Sequence, residues 1–363
     1  MAFRKCGLSL GVLGLSMIVA GAQVSETTNA PGAPGSPTPA PSVNPLPSTN
    51  LPPGKAPPPS ATPDESQGPP PGSDAKAYVD FGIDNGRKGN LDGAIAAFAT
   101  AIKLDPKYSP AYYNQGFAYL LQNKTDEAIA NFNQVISLSP NFRDAYYHRG
   151  CLYGEKGDFD AASRDFLQVV KIDPHYAPAH YQNGHVLYFR GNLSGASEEM
   201  DNAIRINADS PYPYFIRGLI RNVQGRRLDA LGDFQKSFGL GYAAAAFWVW
   251  AMQNESGLAE GAKQDLTSAR AKPDKFQPGA WPTHIADFLL GKLSEDQMVA
   301  KAKTDNADDT AQQTCQAWFY AGMARRVAGD EPGARAAFTK AVATGSKSSE
   351  EFVEAQRILA GKE

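Results

Sequence analysis

Small and large apolar residues recur every 34 positions between residues 75 and 242. In five successive units a glycine is followed by an alanine and then by a large apolar residue, always at the same distances. The three series are Gly82, Gly116, Gly150, Gly184 and Gly218; Ala94, Ala128, Ala162, Ala196 and Ala230; and Phe98, Phe132, Phe166, Met200 and Phe234. Because no insertion or deletion breaks the register, the chain is predicted to repeat one structural unit.

Each unit is predicted to consist of two helices. In the first unit they span residues 78–88 and 91–103, with the turn "GNLD" between them and Asp105-Pro106 ending the second. The glycine and alanine let two antiparallel helices approach closely, and the large apolar residue fills the space beside them. The period is therefore interpreted as a packing constraint.

Two further positions change together from unit to unit. They precede the glycine and the large apolar residue, and they pair apolar with apolar, amide with amide or amide with acid, and base with acid. The pairs are Phe81 with Ala97, Gln115 with Asn131, Arg149 with Asp165, Asn183 with Glu199, and Arg217 with Asp233. This pattern predicts side chains that touch across the helix hairpin, which gives the charged pairs a structural role.

The register weakens in residues 243–310. A degenerate helix pair, the breaker-rich link "KPDKFQPGAWP" and two shorter helices are predicted there, the last opened by a capping box at Ser294 and Gln297. Residues 311–360 restore the spacing in another unit. The final helix is predicted to start at a capping box formed by Ser348 and Glu351 and to turn a polar face to solvent as a terminal cap.

The N-terminus resembles an export signal. Arg4 and Lys5 precede a 16-residue apolar run, and small residues at 20–22 favour cleavage between Ala22 and Gln23, which makes residues 1–22 a signal peptide. The alternative is an uncleaved membrane anchor, although the run is shorter than the roughly 20 residues that span a bilayer. Membrane association is expected only if this segment is retained.

Residues 23–74 are predicted to be a disordered, proline-rich segment. Sixteen of the 27 prolines lie between positions 31 and 71, where large apolar residues are almost absent. The segment is a passive spacer or, alternatively, a ligand for a proline-binding domain. The net charge of -3, with no basic stripe, argues against nucleic acid as a partner.

The 34-residue pattern resembles the tetratricopeptide repeat across residues 75–242. The resemblance implies an all-α solenoid, a right-handed superhelix of helix-turn-helix pairs, whose first helices line a concave groove that binds proteins or peptides. The groove positions are Tyr113, Asn114, Phe117, Tyr147, His148, Tyr181, Gln182, His185 and Phe215. Their aromatic rings suit apolar peptide side chains, and their amides suit a peptide backbone. The alternative is that the tyrosines pack neighbouring repeats together.

The C-terminal half also resembles the NlpI-like family of bacterial envelope lipoproteins. The likeness is carried by Trp281, Phe288, Leu290, Gly291, Ser294, Glu295, Phe319, Tyr320, Gly322, Gly329, Asp330, Phe338, Ala341 and Val342. It implies a homodimeric periplasmic adaptor that brings peptidoglycan hydrolases together, or delivers them to the protease that degrades them. The chain departs from that family because it has no lipobox cysteine and because a proline-rich linker precedes the repeats.

No catalytic motif, metal-ligand spacing or cofactor fingerprint is present in the sequence. His180 and His185 are five residues apart and do not share a helix face, and Cys151 and Cys315 are expected to be two buried thiols or one disulfide. The preferred interpretation is a non-enzymatic adaptor in the bacterial periplasm or cell envelope. The alternatives are an assembly factor for outer-membrane, secretion or pilus machinery, and an enzyme or ligand carrier built on residues 243–310.

Overall fold

A computed structural model describes residues 68–361, which form 17 helices and no strand within that range. The predicted signal peptide, its cleavage between Ala22 and Gln23, and residues 23–67 of the proline-rich segment lie outside the described residues. In the described part of the chain, no helix is both long enough and apolar enough to cross a membrane.

The five regular units are five helix hairpins, called repeats 1 to 5, and they confirm the predicted pairs. They consist of α1 (Ala75–Arg87) with α2 (Leu91–Leu104), α3 (Ser109–Leu121) with α4 (Thr125–Leu138), α5 (Arg143–Glu155) with α6 (Phe159–Ile172), α7 (Ala177–Phe189) with α8 (Leu193–Ile206), and α9 (Pro211–Val223) with α10 (Arg227–Gly239). Each second helix packs against the first helix of the next repeat, which generates the solenoid.

The remaining helices continue this arrangement less regularly. They are α11 (Ala245–Glu255), α12 (Ala259–Arg270), α13 (Trp281–Leu289), α14 (Glu295–Lys301), α15 (Ala307–Val327), α16 (Glu331–Ala343) and α17 (Glu350–Leu359). The predicted capping box at Ser294 and Gln297 is confirmed at the start of α14. The predicted start of α17 is wrong by one residue, because the hydroxyl of Ser349 accepts the hydrogen bond from the amide of Phe352.

A left-handed residue joins the two helices of each hairpin. Gly89 has φ of 80°, and the same place in repeat 2 is taken by Asn123 with φ of 58°, asparagine being a residue that tolerates this region. Gly257 and Gly291 adopt φ of 77° and 74° between α11 and α12 and between α13 and α14. Residues 243–310 are therefore two further hairpins in which the turn persists after the packing pattern has faded.

The packing interpretation of the period is confirmed at the recurring glycine. A Cβ atom at Gly218 would lie 2.7 Å from the ring of Phe234, and one at Gly116 would lie 3.1 Å from Phe132. Gly322 has the same relation to Phe338 in the hairpin of α15 and α16, at 2.6 Å. A side chain at this position would crowd the large apolar residue of the second helix.

Most of the predicted cross-hairpin pairs are also present. Arg149 donates to Asp165 at 2.8 and 2.6 Å, Arg217 donates to Asp233 at 2.9 and 2.7 Å, and Asn183 donates to Glu199 at 2.8 Å. The amide pair of repeat 2 differs. Gln115 donates to the carbonyl of Ile95 in the preceding repeat, and Asn131 donates to the carbonyl of Glu127 in its own helix.

The apolar core runs along the solenoid and thickens toward its C-terminal end. Repeats 1 to 4 share three small clusters, whereas a single large cluster joins repeats 4 and 5 to the helices from α11 to α17. Cys315 lies in that large cluster as a free, buried thiol, so the disulfide between Cys151 and Cys315 is excluded.

Candidate functional site

The predicted groove residues lie on the first helices of repeats 2 to 5. We call these nine residues the concave wall; they are Tyr113, Asn114 and Phe117 on α3, Tyr147 and His148 on α5, Tyr181, Gln182 and His185 on α7, and Phe215 on α9. Seven of them are buried, and Tyr113 and Tyr181 are half-buried. α7 contacts both α5 and α9, so these residues come together along neighbouring helices. Their role in binding a partner stays a prediction.

In repeats 2 to 5 an aromatic residue at the same place in the first helix contacts a ring at the start of the next first helix or just before it. Ring centroids are 4.9 Å apart for Tyr113 and Phe142, and 5.4 Å apart for Tyr147 and Tyr176. The next two pairs are Tyr181 with Tyr212 at 6.0 Å and Phe215 with Tyr242 at 4.8 Å. The aromatic residues therefore do pack between repeats. Tyr113 and Tyr181 nevertheless keep part of their side chains exposed.

His148 lies inside an aromatic cluster between repeats 2 and 3. Its ring stacks on Phe132 at 5.7 Å and meets the edge of Phe117 at 5.5 Å. Burial lowers the pKa of His148 to about 4, with the charge of Asp144 opposing the shift. The imidazole is therefore neutral at physiological pH, and its Nδ1 atom has no hydrogen-bond partner among the described residues.

The two amide side chains of the wall differ in their hydrogen bonding. Asn114 donates to the carbonyl of Pro110 at 2.8 Å, which occupies the amide nitrogen within its own helix. Gln182 is 3 % exposed, and its Oε1 atom has no hydrogen-bond partner in the described part of the chain. This unpaired acceptor is itself buried, so it is not open to a partner in this structure.

The C-terminal helix α17 lies against the concave wall at repeat 4. His185 donates through Nε2 to Glu350 at 3.1 Å, and the hydroxyl of Tyr188 donates to Glu354. Arg357 donates to the carbonyl of Tyr188 at 3.1 Å, and its guanidinium lies 4.3 Å from the centre of that ring. We call the contacts of these five residues the clasp. They join α7 to a helix about 165 positions further along the chain.

The clasp corrects the prediction that α17 turns its polar face to solvent. Glu350, Glu351 and Glu354 are all buried, at 8 %, 3 % and 4 % exposure. Sequence reasoning found His185 but missed Tyr188 and the three glutamates. The three acids in the first turn and a half of α17 resemble an ordinary charged N-terminal turn, and nothing local to that helix signals that they meet another repeat.

The pKa values of Glu350 and Glu351, two buried glutamates of α17, are shifted in opposite directions. Burial raises the pKa of Glu351 to about 7, the charge of Glu350 adds to this effect, and the amide of Gln316, which donates at 3.0 Å, opposes it. For Glu350, burial is outweighed by the hydrogen bond and charge of His185, so the pKa is lowered. Glu350 is therefore the charged partner of His185 at neutral pH.

A cavity of about 450 Å³ lies beside the clasp. Glu354 and Arg357 of the clasp line it, together with Trp248, Met252 and Met323 from α11 and α15. The described residues contain no group of three or more His, Cys, Asp or Glu side chains placed to hold a metal ion.

Comparisons with known proteins agree with this architecture. A family model described as "TPR repeat" matches residues 87–123 and 118–157, and one described as "Tetratricopeptide repeat" matches residues 144–176. A search of curated proteins finds none that matches the chain. The comparisons do not confirm the resemblance to NlpI-like lipoproteins.

Several solved structures are similar to this chain. The crystal structure of MamA is 26 % identical and covers 44 % of this chain and 94 % of that chain, with a TM-score of 0.43. YrrB, described as a TPR protein with an unusual peptide-binding site, is 21 % identical over 53 % of this chain and 92 % of that chain, with a TM-score of 0.42. PilF of Pseudomonas aeruginosa is 14 % identical over 58 % and 94 %, with a TM-score of 0.49.

Proposed function

Because residues 87–176 are tetratricopeptide repeats and the described chain is an all-helical solenoid, we propose that this protein is a non-enzymatic adaptor that binds protein partners along its concave wall. The observation that carries the proposal is the row of aromatic residues on consecutive first helices. The partly exposed rings of Tyr113 and Tyr181 suit the apolar side chains of an extended or helical peptide.

We place this adaptor in the periplasm or envelope of a bacterium, with peptidoglycan hydrolases and the protease that degrades them as its partners. The support for this setting is the export-type N-terminus and the resemblance of residues 281–342 to NlpI-like lipoproteins. In this setting the proline-rich segment holds the solenoid at a distance from whatever the N-terminus contacts, and the adaptor acts as a homodimer.

The test is affinity purification of the full chain after crosslinking in intact cell envelopes. Recovery of cell-wall hydrolases together with a carboxyl-terminal protease supports the proposed partners. Recovery of secretion or pilus components instead assigns the same surface to an assembly factor. If no envelope protein is enriched over a mock purification, the adaptor function is wrong.

Variants of the wall decide whether the partners bind where we propose. Tyr113→Ala is expected to reduce recovery of the partner about tenfold or more, as for an aromatic residue at the centre of an interface. The matched control is Tyr112→Ala, the preceding residue of α3, whose hydroxyl donates to the carbonyl of Pro106 at 3.2 Å. Equal recovery with both variants, each shown to be folded by circular dichroism, would place the interface elsewhere.

A further inference from the structure

Repeat 4 of the concave wall is already occupied by a segment of the same chain. α17 presents Glu350 and Glu354, four residues apart on one helix face, to His185 and Tyr188 of α7. His185 is completely buried at this contact, and so is Tyr188. A partner that reaches repeat 4 therefore meets α17 first.

We call the place on α7 that Glu350 and Glu354 occupy the seat. Its side chains favour carboxylates. The imidazole of His185 and the hydroxyl of Tyr188 both donate toward α17, and both are surrounded by apolar and aromatic side chains. A buried donor without an acceptor is costly, so whatever occupies this place has to supply acceptors at both positions. Two glutamates four residues apart on a helix meet that requirement, as α17 itself shows.

The polar contacts of the clasp contribute little net stability. Three glutamates are buried in α17 against one arginine and one histidine, and desolvation offsets much of what such contacts contribute to stability. α17 is also the last helix of the described chain. It follows a short segment that contains Gly345 at φ of 70°. It also packs on α15 and α16 and buries Phe352 and Ala355, so its release from α7 requires that these contacts open as well.

We propose that α17 is an internal ligand of the concave wall and that the partner of repeat 4 is an acidic amphipathic helix, with glutamates four residues apart, that displaces it. This inference rests on the adaptor function proposed above and adds both the class of partner and the regulation of its access.

The probe for this proposal is a labelled synthetic peptide of residues 348–361 with blocked ends, added to the full chain. The variant E350Q/E354Q keeps the shape of α17 but removes both carboxylates from the seat. We expect the peptide to bind this variant about tenfold or more tightly than the wild-type chain, because the internal competitor is weakened. A control with two exposed acids changed, E198Q/E260Q, should bind the peptide as the wild type does.

Two further measurements make the result specific. A peptide with glutamine at the positions of Glu350 and Glu354 should lose the enhanced binding, and H185A/Y188F in the E350Q/E354Q background should lose it too. In the wild-type chain, saturating peptide should accelerate hydrogen exchange of the α17 amides while those of α7 stay protected. This last readout needs no variant, so a folding defect in E350Q/E354Q leaves the test intact.

The proposal is wrong if the peptide binds the wild-type and E350Q/E354Q chains equally, if the glutamine peptide binds as tightly, or if the α17 amides are unaffected. Its failure is separable from that of the adaptor function. If only the internal-ligand proposal fails, recovery of the partner still depends on Tyr113 in repeat 2. If the peptide binds at repeat 4 but Tyr113→Ala leaves recovery of the partner unchanged, only the proposed binding of the partner at Tyr113 is wrong.

Discussion

Arg149 on α5 faces Asp165 on α6, and its guanidinium donates two hydrogen bonds to the buried carboxylate, at 2.8 and 2.6 Å. Arg149→Ala is expected to destabilise the chain by about 3 kcal/mol, because it leaves a buried charge unpaired. The measurement is the loss of protection of α5 and α6 amides in native-state hydrogen exchange. Lys156→Ala, which removes an exposed pair with Asp126, serves as the control and should change nothing measurable.

The recurring glycine offers a sharp test of packing. Gly218→Ala would place a methyl group 2.7 Å from the ring of Phe234, so we expect a loss of about 1 to 3 kcal/mol from overpacking. Gly232→Ala is the matched control in the same hairpin. No atom lies within 4 Å of its added Cβ, so the exposed helix position should gain about 0.5 to 1 kcal/mol. Thermal unfolding of the two variants should therefore move in opposite directions.

Glu351 predicts a specific dependence of stability on pH. Its folded-state pKa, raised to about 7 by burial and by Glu350, lies above the ordinary value of 4.5. The protonated carboxyl therefore favours the folded state, and this stabilisation, present at acid pH, is lost as the pH rises through about 7. From pH 5 to 8 the loss should be on the order of 2 to 3 kcal/mol.

The variant Glu351→Gln isolates this contribution. A neutral amide cannot titrate, so the variant should lose less stability than the wild type between pH 5 and 8. Glu350 does not confuse the comparison, because its pKa is lowered and its stabilisation is lost only at more acidic pH. Parallel stability curves for the two proteins would contradict the assignment.

We expect His148 to contribute to stability through the packing of its ring and not through a charge. Because its pKa is lowered to about 4, its NMR resonances should not titrate between pH 5.5 and 8. His148→Phe removes the buried Nδ1 atom that has no partner and should leave stability unchanged or raise it by about 1 kcal/mol. A clear loss of stability would show that the imidazole has a partner that the aromatic cluster does not reveal.

The repeat was predictable because its cause is local. Gly218 and Phe234 are 16 residues apart and belong to one hairpin, so the spacing of residue types reports their contact directly. Charged pairs such as Arg149 with Asp165 were predictable for the same reason. The hydrogen bond of Gln115 was not predictable in this way, because its amide donates to the carbonyl of Ile95 in the preceding repeat, outside the hairpin that the spacing describes.

The clasp has a different physical origin. The contact of Tyr188 with Glu354 depends on how repeat 5 and the irregular hairpins from α11 to α14, where the packing pattern has faded, place α17. The 34-residue period does not determine this placement. The partner-binding role of the wall stays a prediction, and the structure shows that α17 covers the part of it at repeat 4.

Site-specific photocrosslinking tests the central claim most directly, because it maps where a partner touches the solenoid. A photoreactive residue is placed at Tyr113 on the concave wall or at Leu167, half-exposed on the second helix of repeat 3, and the chain is irradiated in intact envelopes. The account predicts a partner adduct from position 113 and none from position 167. Adducts from position 167 alone would contradict it.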